Sequence, residues 1–424
     1  MPHRPVTAGA QPPKTRSPDL STITVRNSDK ADGAGFRSGL LTLLRYRGRV
    51  MSQPSRPDRA LSAIDVLRFA CAAMVVGYHY GFAFPLTPPR PLAGVVAAPV
   101  NGLWFGWVGV ELFFVISGYV ILGTAERRDT RQFVRARVLR LVPAVWICAT
   151  TTALLLLTVP GVDIGSVAHG WVDAVAFVPI GVQIDGSYWT LAIEIVFYGL
   201  VATVIALRRN DRWVWRAVLY LGAISLDYWM MQAAFADNPA FPTRARMLTL
   251  LPHGVFFALG AVLYRLSTKS WSWQLAGFSL ALAWGCCFEI VVRATTVARD
   301  YQLTIGPYLP IAVFLAGVVV VALAVRLQPA MARTVPSRHA ARIGMATYPL
   351  YLVHQAAGAV VIAWLTAAGT PYCLASMVVG ALSLGFALWC AAIPEPWLRE
   401  RLTRVRLLRV PAPGRSRIAF LRGG

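Results

Sequence analysis

The stretch Leu61-Ser-Ala-Ile64-Asp65-Val-Leu-Arg68-Phe-Ala-Cys-Ala-Ala-Met-Val-Val-Gly-Tyr78-His79-Tyr-Gly-Phe-Ala-Phe84 decides how this chain is read. It is apolar over the length a helix needs to cross a bilayer, yet it carries an arginine and, eleven positions later, a histidine. On an α-helix eleven residues turn through about 1100°, so Arg68 and His79 share one face, about 16 Å apart along the axis. Ionisable groups at such depth cost about 2.5 to 3.5 kcal/mol each on the lenient insertion scale, so the pair reads as functional. The expectation is a membrane enzyme with a buried site.

The rest of the chain fits a membrane setting. With 56% hydrophobic and only 14% charged residues, a soluble globular protein is excluded. Ten apolar runs have spanning length, at about 62–84, 104–123, 139–159, 188–207, 214–232, 250–266, 272–292, 305–325, 343–366 and 373–393. The fold class is therefore all-α, a polytopic membrane helix bundle of about ten transmembrane helices. A net charge of +22 raises the question of nucleic acid, but the arginines cluster in short segments between apolar runs and form no nucleic-acid-binding motif. They alternate instead. Arg56 and Arg59, Arg127 to Arg137, Arg208 to Arg212, Arg265 with Lys269, Arg326 to Arg342 and Arg399 to Arg409 all fall on one side of the ten spans. The intervening segments hold little, and Pro160 to Ser187 has three aspartates and no basic residue. The positive-inside rule then places both termini in the cytoplasm.

Three regions follow. Residues 1–59 are read as a disordered basic cytoplasmic tail, with Met51 as an alternative start. Residues 60–395 form the membrane domain, and 396–424 a basic cytoplasmic tail. The six cysteines make no C-x-x-C pair and lie mostly in apolar segments, so they are read as small buried hydrophobes. Cys286-Cys287 has only Glu289 as a neighbour with ligand chemistry, so no metal site is expected.

Orientation suggests partners. Span four enters from the outer side at Tyr188-Trp189, which puts Glu194 about 9 Å down a straight helix, at a depth similar to His79. A carboxylate beside an imidazole raises its basicity and fixes its tautomer, as a general base for a hydroxyl requires. Glu194 could equally neutralise an arginine on a neighbouring helix. Glu111 needs a partner at its depth and is grouped with His79 and Glu194 in one polar cluster. In the same segment Ser117 offers a hydroxyl, while the glycines around it also serve close helix packing. His354, in the middle of span nine, reads either as a site residue or as a buried histidine bonded to a helix carbonyl. His253 reads as a helix-start histidine facing water or headgroups, or as part of a substrate entrance. Arg137 and Arg140, with Arg68, suit a phosphate-bearing donor arriving from the cytoplasm, although topology alone also explains arginines there.

Five segments in order resemble one family across about residues 60–395. Arg68 and His79 are similar to the Arg-ten-residues-His signature that opens the acyltransferase-3 membrane proteins. Gly109-Val-Glu111-Leu-Phe-Phe-Val-Ile-Ser117-Gly118 resembles that family's Gly-Val-x-x-Phe-Phe-x-x-Ser-Gly stretch, with Glu111 at a position where aspartate is common. Arg137-Val-Leu-Arg140-Leu-Val-Pro143 resembles Arg-x-x-Arg-x-x-Pro, and Tyr188-Trp-Thr-Leu-Ala-Ile-Glu194-Ile-Val-Phe197-Tyr198 resembles Trp-x-Leu-x-x-Glu-x-x-Phe-Tyr. Tyr348-Pro-Leu-Tyr351-Leu-Val-His354 is similar to the closing Tyr-x-x-Tyr-Leu-x-His, with Pro349 replacing a frequent serine.

The resemblance implies a multi-pass protein of a bacterial inner membrane that moves an acyl group, usually acetyl from cytoplasmic acetyl-CoA, to a hydroxyl on a carbohydrate or related glycoside. His79 and Glu194 are then the catalytic pair, and Arg68, Arg137 and Arg140 hold the CoA phosphates. Glu111, Ser117, Tyr198 and His354 contact substrate or support the site. A macrolide or other small glycoside is an alternative acceptor to an exported glycan. A transporter or flippase is the rival of a different class, but no inverted repeat supports it. The acceptor, the acyl chain and the oligomeric state are not legible.

Overall fold

A computed structural model describes residues 62–208, 211–235, 243–269, 271–334 and 337–405. The expected tail over 1–59 lies outside the described residues, as does the C-terminal segment from 406 onward. Among the described residues every regular element is a helix, as the sequence led us to expect.

Helix α1, Ser62–Tyr78, runs into a single wider π-turn, His79–Ala83, and ends in Phe84–Leu86. The irregularity has a cause. Pro85 has no N–H to return to the Gly81 carbonyl, which accepts instead from the Val100 N–H at 2.7 Å. Helix α2 is Val108–Ala125 and α3 is Thr130–Leu156. The start of α3 corrects the expected span at 139. Asp129 caps the helix by accepting from the Gln132 N–H at 2.8 Å, so the arginines up to Arg140 ride on helix and not on a loop.

Helix α4, Ile164–Val175, lies within what was read as a connecting segment. Ile164, Val167, Ala168, Trp171, Val172 and Val175 recur at helical spacing, but over a length too short to span. There follow α5 Tyr188–Arg208, α6 Asp211–Phe235, α7 Gly254–Thr268, α8 Trp273–Asp300 and α9 Tyr308–Thr334. Helix α10, Ser337–Val353, and α11, Ala356–Ala367, occupy the expected ninth span but are bent by 70° at a break around His354. Helices α12, Tyr372–Ala392, and α13, Pro394–Thr403, end the described chain. Six helical stretches are long and apolar enough to cross a membrane, or seven if the bent pair counts as one span. Helix α7 and the Tyr308–Ala324 part of α9 are apolar but shorter.

Helix α2 is the axis of the bundle, buried around most of its surface. Its glycines explain how its neighbours come so near. A Cβ on Gly118 would overlap the Phe257 carbonyl of α7, and one on Gly260 of α7 would overlap the Val115 carbonyl of α2. On the opposite side Gly109 faces the Cys71 carbonyl and Gly106 the Met74 carbonyl of α1. Small residues at these crossings let backbones meet where no hydrophobic force distinguishes helix from lipid.

Candidate active site

At the arginine-rich end, α1, α3, α10 and α13 enclose a cavity of about 390 Å³. Five arginines line it (Arg68, Arg128, Arg137, Arg140, Arg399) against two carboxylates, Asp65 and Glu395. The excess of positive charge suits the cavity to a polyanion. Arg137 and Arg140 are three residues apart on α3 and so share a face. The Arg137 guanidinium lies over the rings of Phe133 and Tyr198, 5.7 and 5.6 Å from their centroids.

Further in, α1, α2, α3, α5 and α10 surround a narrower chamber of about 60 Å³. Arg68, Arg140 and Tyr348 line both spaces and so mark where they meet. Glu194 lies here. Its Oε1 accepts from the Ser117 hydroxyl at 2.8 Å and from the Tyr198 hydroxyl one turn along α5. Thr190 donates to the Tyr351 hydroxyl at 3.1 Å, and Tyr351 closes the chamber at the side away from the arginines.

Beyond Tyr351 stand two histidines, each on an irregular turn. His354 is fully buried at the break between α10 and α11, and its Nε2 lies 3.0 Å from Nδ1 of His79, the first residue of the π-turn. Backbone carbonyls determine the tautomers. His354 Nδ1 lies 2.8 Å from the Tyr351 carbonyl, which can only accept, so that nitrogen carries the proton and Nε2 carries a lone pair. His79 Nδ1 lies 3.0 Å from the Val75 carbonyl, so it too is protonated and shares its hydrogen with His354. That leaves the lone pair of His79 on Nε2, which bonds to no group among the described residues. This is the state a proton-accepting imidazole needs.

The bend itself exposes backbone groups, and side chains meet two of them. Tyr80 donates its hydroxyl to the His354 carbonyl at 2.6 Å, and Asp185 accepts from the Ala356 N–H at 2.7 Å. Asp185 is held in turn by the Ser187 N–H at 2.8 Å and the Ser187 hydroxyl at 2.6 Å.

The structure thus brings Arg68, Arg137, Arg140, Ser117, Glu194 and Tyr198 together and joins His354 to His79, but it corrects the expected pairing of His79 with Glu194. Helix α5 does not begin at the membrane surface. Ile184, Asp185 and Ser187 are buried before it starts, with Asp185 already at the level of His354. Glu194, nine residues on, therefore falls at the level of the arginines. Glu111 is likewise separate from both, and its neighbours are His253 and Glu289. His253, expected to face water, headgroups or an entrance, is fully buried. Sequence reasoning missed Tyr80, Asp185 and Glu289 as polar groups of consequence. Glu289 was detectable, being a lone carboxylate in an apolar run.

Comparison with known proteins gives the family. Residues 61–394 match the model of the acyltransferase-3 family, described as an acyltransferase domain. The chain belongs to the acyltransferase-3 family. It is also similar to O-acetyltransferase OatA of Staphylococcus aureus strains NCTC 8325, COL and MRSA252, in each case 28% identical over 187 residues. That match covers 37% of this chain, and the chain spans only 31% of each relative's length. No solved structure matches. The chain accordingly carries that family's acyltransferase domain on several helices apolar enough to cross a membrane, and the motifs that carried the resemblance are those that line its cavities and form its histidine pair.

Proposed function

We propose that the protein moves an acetyl group from cytoplasmic acetyl-CoA to a hydroxyl of an exported or cell-surface glycan, in a bacterial inner membrane with the arginine-rich end and both termini inside. The observation that carries this reading is the polar column itself: a cationic cavity, a narrow chamber that shares Arg68, Arg140 and Tyr348 with it, and the His79–His354 pair beyond Tyr351.

Arg68, Arg137 and Arg140, with Arg128 and Arg399 beside them, would hold the phosphates of the donor. A bound acyl-CoA supplies an activated acyl carbonyl. Glu194, tied to Ser117 and Tyr198, keeps the mouth of the chamber polar and its side chains fixed. His79 Nε2 accepts the proton of the acceptor hydroxyl as its oxygen bonds to the acyl carbon and the carbon–sulfur bond breaks. The same nitrogen then returns the proton to the departing thiolate. His354 shares the His79 Nδ1–H with the Val75 carbonyl and would spread the positive charge that His79 takes on.

The test is transfer of label from radiolabelled acetyl-CoA to extracted glycan in membranes from cells carrying wild type, His79→Ala or Arg68→Ala. Wild type labels the glycan, His79→Ala lowers the rate by about 10² to 10⁴, and Arg68→Ala raises the KM for the donor. Uptake or export of a solute without any acyl transfer in the wild type would favour a transporter and end this proposal.

A further inference from the structure

Away from the transfer column, three polar side chains are buried together on three helices. Glu111 lies in the first turn of α2, His253 directly precedes α7, and Glu289 lies in α8. They are 0 to 1% exposed, and one ligand atom from each lies within 4.8 Å of the other two. Both carboxylate oxygens of Glu289, both ring nitrogens of His253 and Oε2 of Glu111 find no hydrogen-bond partner among the described residues. Five unmatched polar atoms in one dry spot are costly, since each forfeits the hydration it had in the unfolded chain.

We propose that Glu111, His253 and Glu289 bind a divalent transition-metal ion, zinc being the probe that fits them best. An ion about 2.0 to 2.2 Å from each donor holds tetrahedral neighbours about 3.4 Å apart, so small side-chain rotations bring all three onto it. Two carboxylates and an imidazole suit such an ion, and the site offers no thiolate. Cys286, although fully buried one turn before Glu289, is not in the group. Arg293, a turn after Glu289, has its guanidinium 5.6 Å from the Trp107 ring centroid and brings one positive charge toward two carboxylates. The competing way to neutralise the second is a proton held between Glu111 and Glu289.

The ion would act as a tie and take no part in the transfer. Val110, Phe113, Phe114 and Ser117 of α2 line the narrow chamber, whereas Glu111 does not. The Phe114 ring, 5.1 Å from the His253 ring, stands between the two sites. Because its ligands come from α2, α7 and α8, the ion would fix the central helix against two others, and its binding energy would become folding energy.

The experiment uses the full chain, purified in detergent without a polyhistidine tag, stripped with chelator and dialysed against zinc. We expect one zinc per chain, an unfolding midpoint that rises with free zinc, and an absorption spectrum with nitrogen and oxygen donors only. Glu289→Gln and His253→Asn should each weaken zinc binding by at least about tenfold and remove the rise in the midpoint. Folded wild type that takes up no zinc, uptake unchanged in Glu289→Gln, or a sulfur donor in the spectrum would each overturn the site. Should Glu289→Gln not fold, chelation and readdition on the wild type decide alone, because an unmoved midpoint means a shared proton and no ion.

Discussion

His79 presents a bare Nε2 because its Nδ1–H is held by the Val75 carbonyl and shared with the lone pair of His354, which is free to accept because His354's own hydrogen goes to the Tyr351 carbonyl. A positioning role of this kind predicts a graded result. His354→Gln keeps an acceptor oxygen near His79 and should retain part of kcat, whereas His354→Leu should lose about 10² to 10⁴ of it. Donor KM should be unchanged in both, and the acid limb of the pH–rate profile should move in the glutamine variant. If leucine and glutamine behave alike, His354 does not act through His79. Tyr351 supports a second prediction at this scale. It stands between the chamber and the histidines, so Tyr351→Trp should narrow the passage and lower kcat while leaving donor binding intact. Arg68 and His79 were legible from the sequence because both stand out against apolar neighbours on one helix. The partner of His79 was not, since it depends on the break between two other helices.

Helix contacts in this bundle rest on glycines, and they separate into two kinds. Gly118 of α2 faces the backbone carbonyl of Phe257, which has nowhere to move, whereas Gly380 of α12 faces open space. Gly118→Ala should therefore destabilise the protein by about 1 to 3 kcal/mol or more, read as a lower unfolding midpoint in detergent. Gly380→Ala should leave it within about 1 kcal/mol of wild type. Helix α4 responds to acid instead. The Ser166 hydroxyl, with the N–H groups of Ser166 and Gly165, holds the Asp163 cap below the usual aspartate range. A depressed folded-state pKa means that the cap contributes fully above the unfolded value and is lost as pH falls through the folded one. Amide exchange over 164–175 should accelerate on acidification, and Asp163→Ala should abolish that dependence. The spanning helices were legible from long apolar runs. Helix α4 obeys the same periodicity but is too short to register as a span, and the depth of α5 was misjudged because burial before Tyr188 is a tertiary fact.

For the whole molecule, sidedness is the property everything else assumes. Among the described cysteines Cys373 is exposed, Cys287 is half-buried, and the others are buried. Cys373 lies at the start of α12, opposite the arginine-rich end in the proposed topology. A membrane-impermeant maleimide added to intact cells should label wild type and not Cys373→Ser. Labelling only after the cells are broken would invert the topology and, with it, the side from which the donor arrives. The narrow chamber has a consequence of its own. At about 60 Å³ it has room for roughly four water molecules, so with the proposed donor it would admit a two-carbon acyl group and exclude a fatty one. On that reading the waist of the protein would be a gauge, with chain length measured there by steric fit before any bond is made.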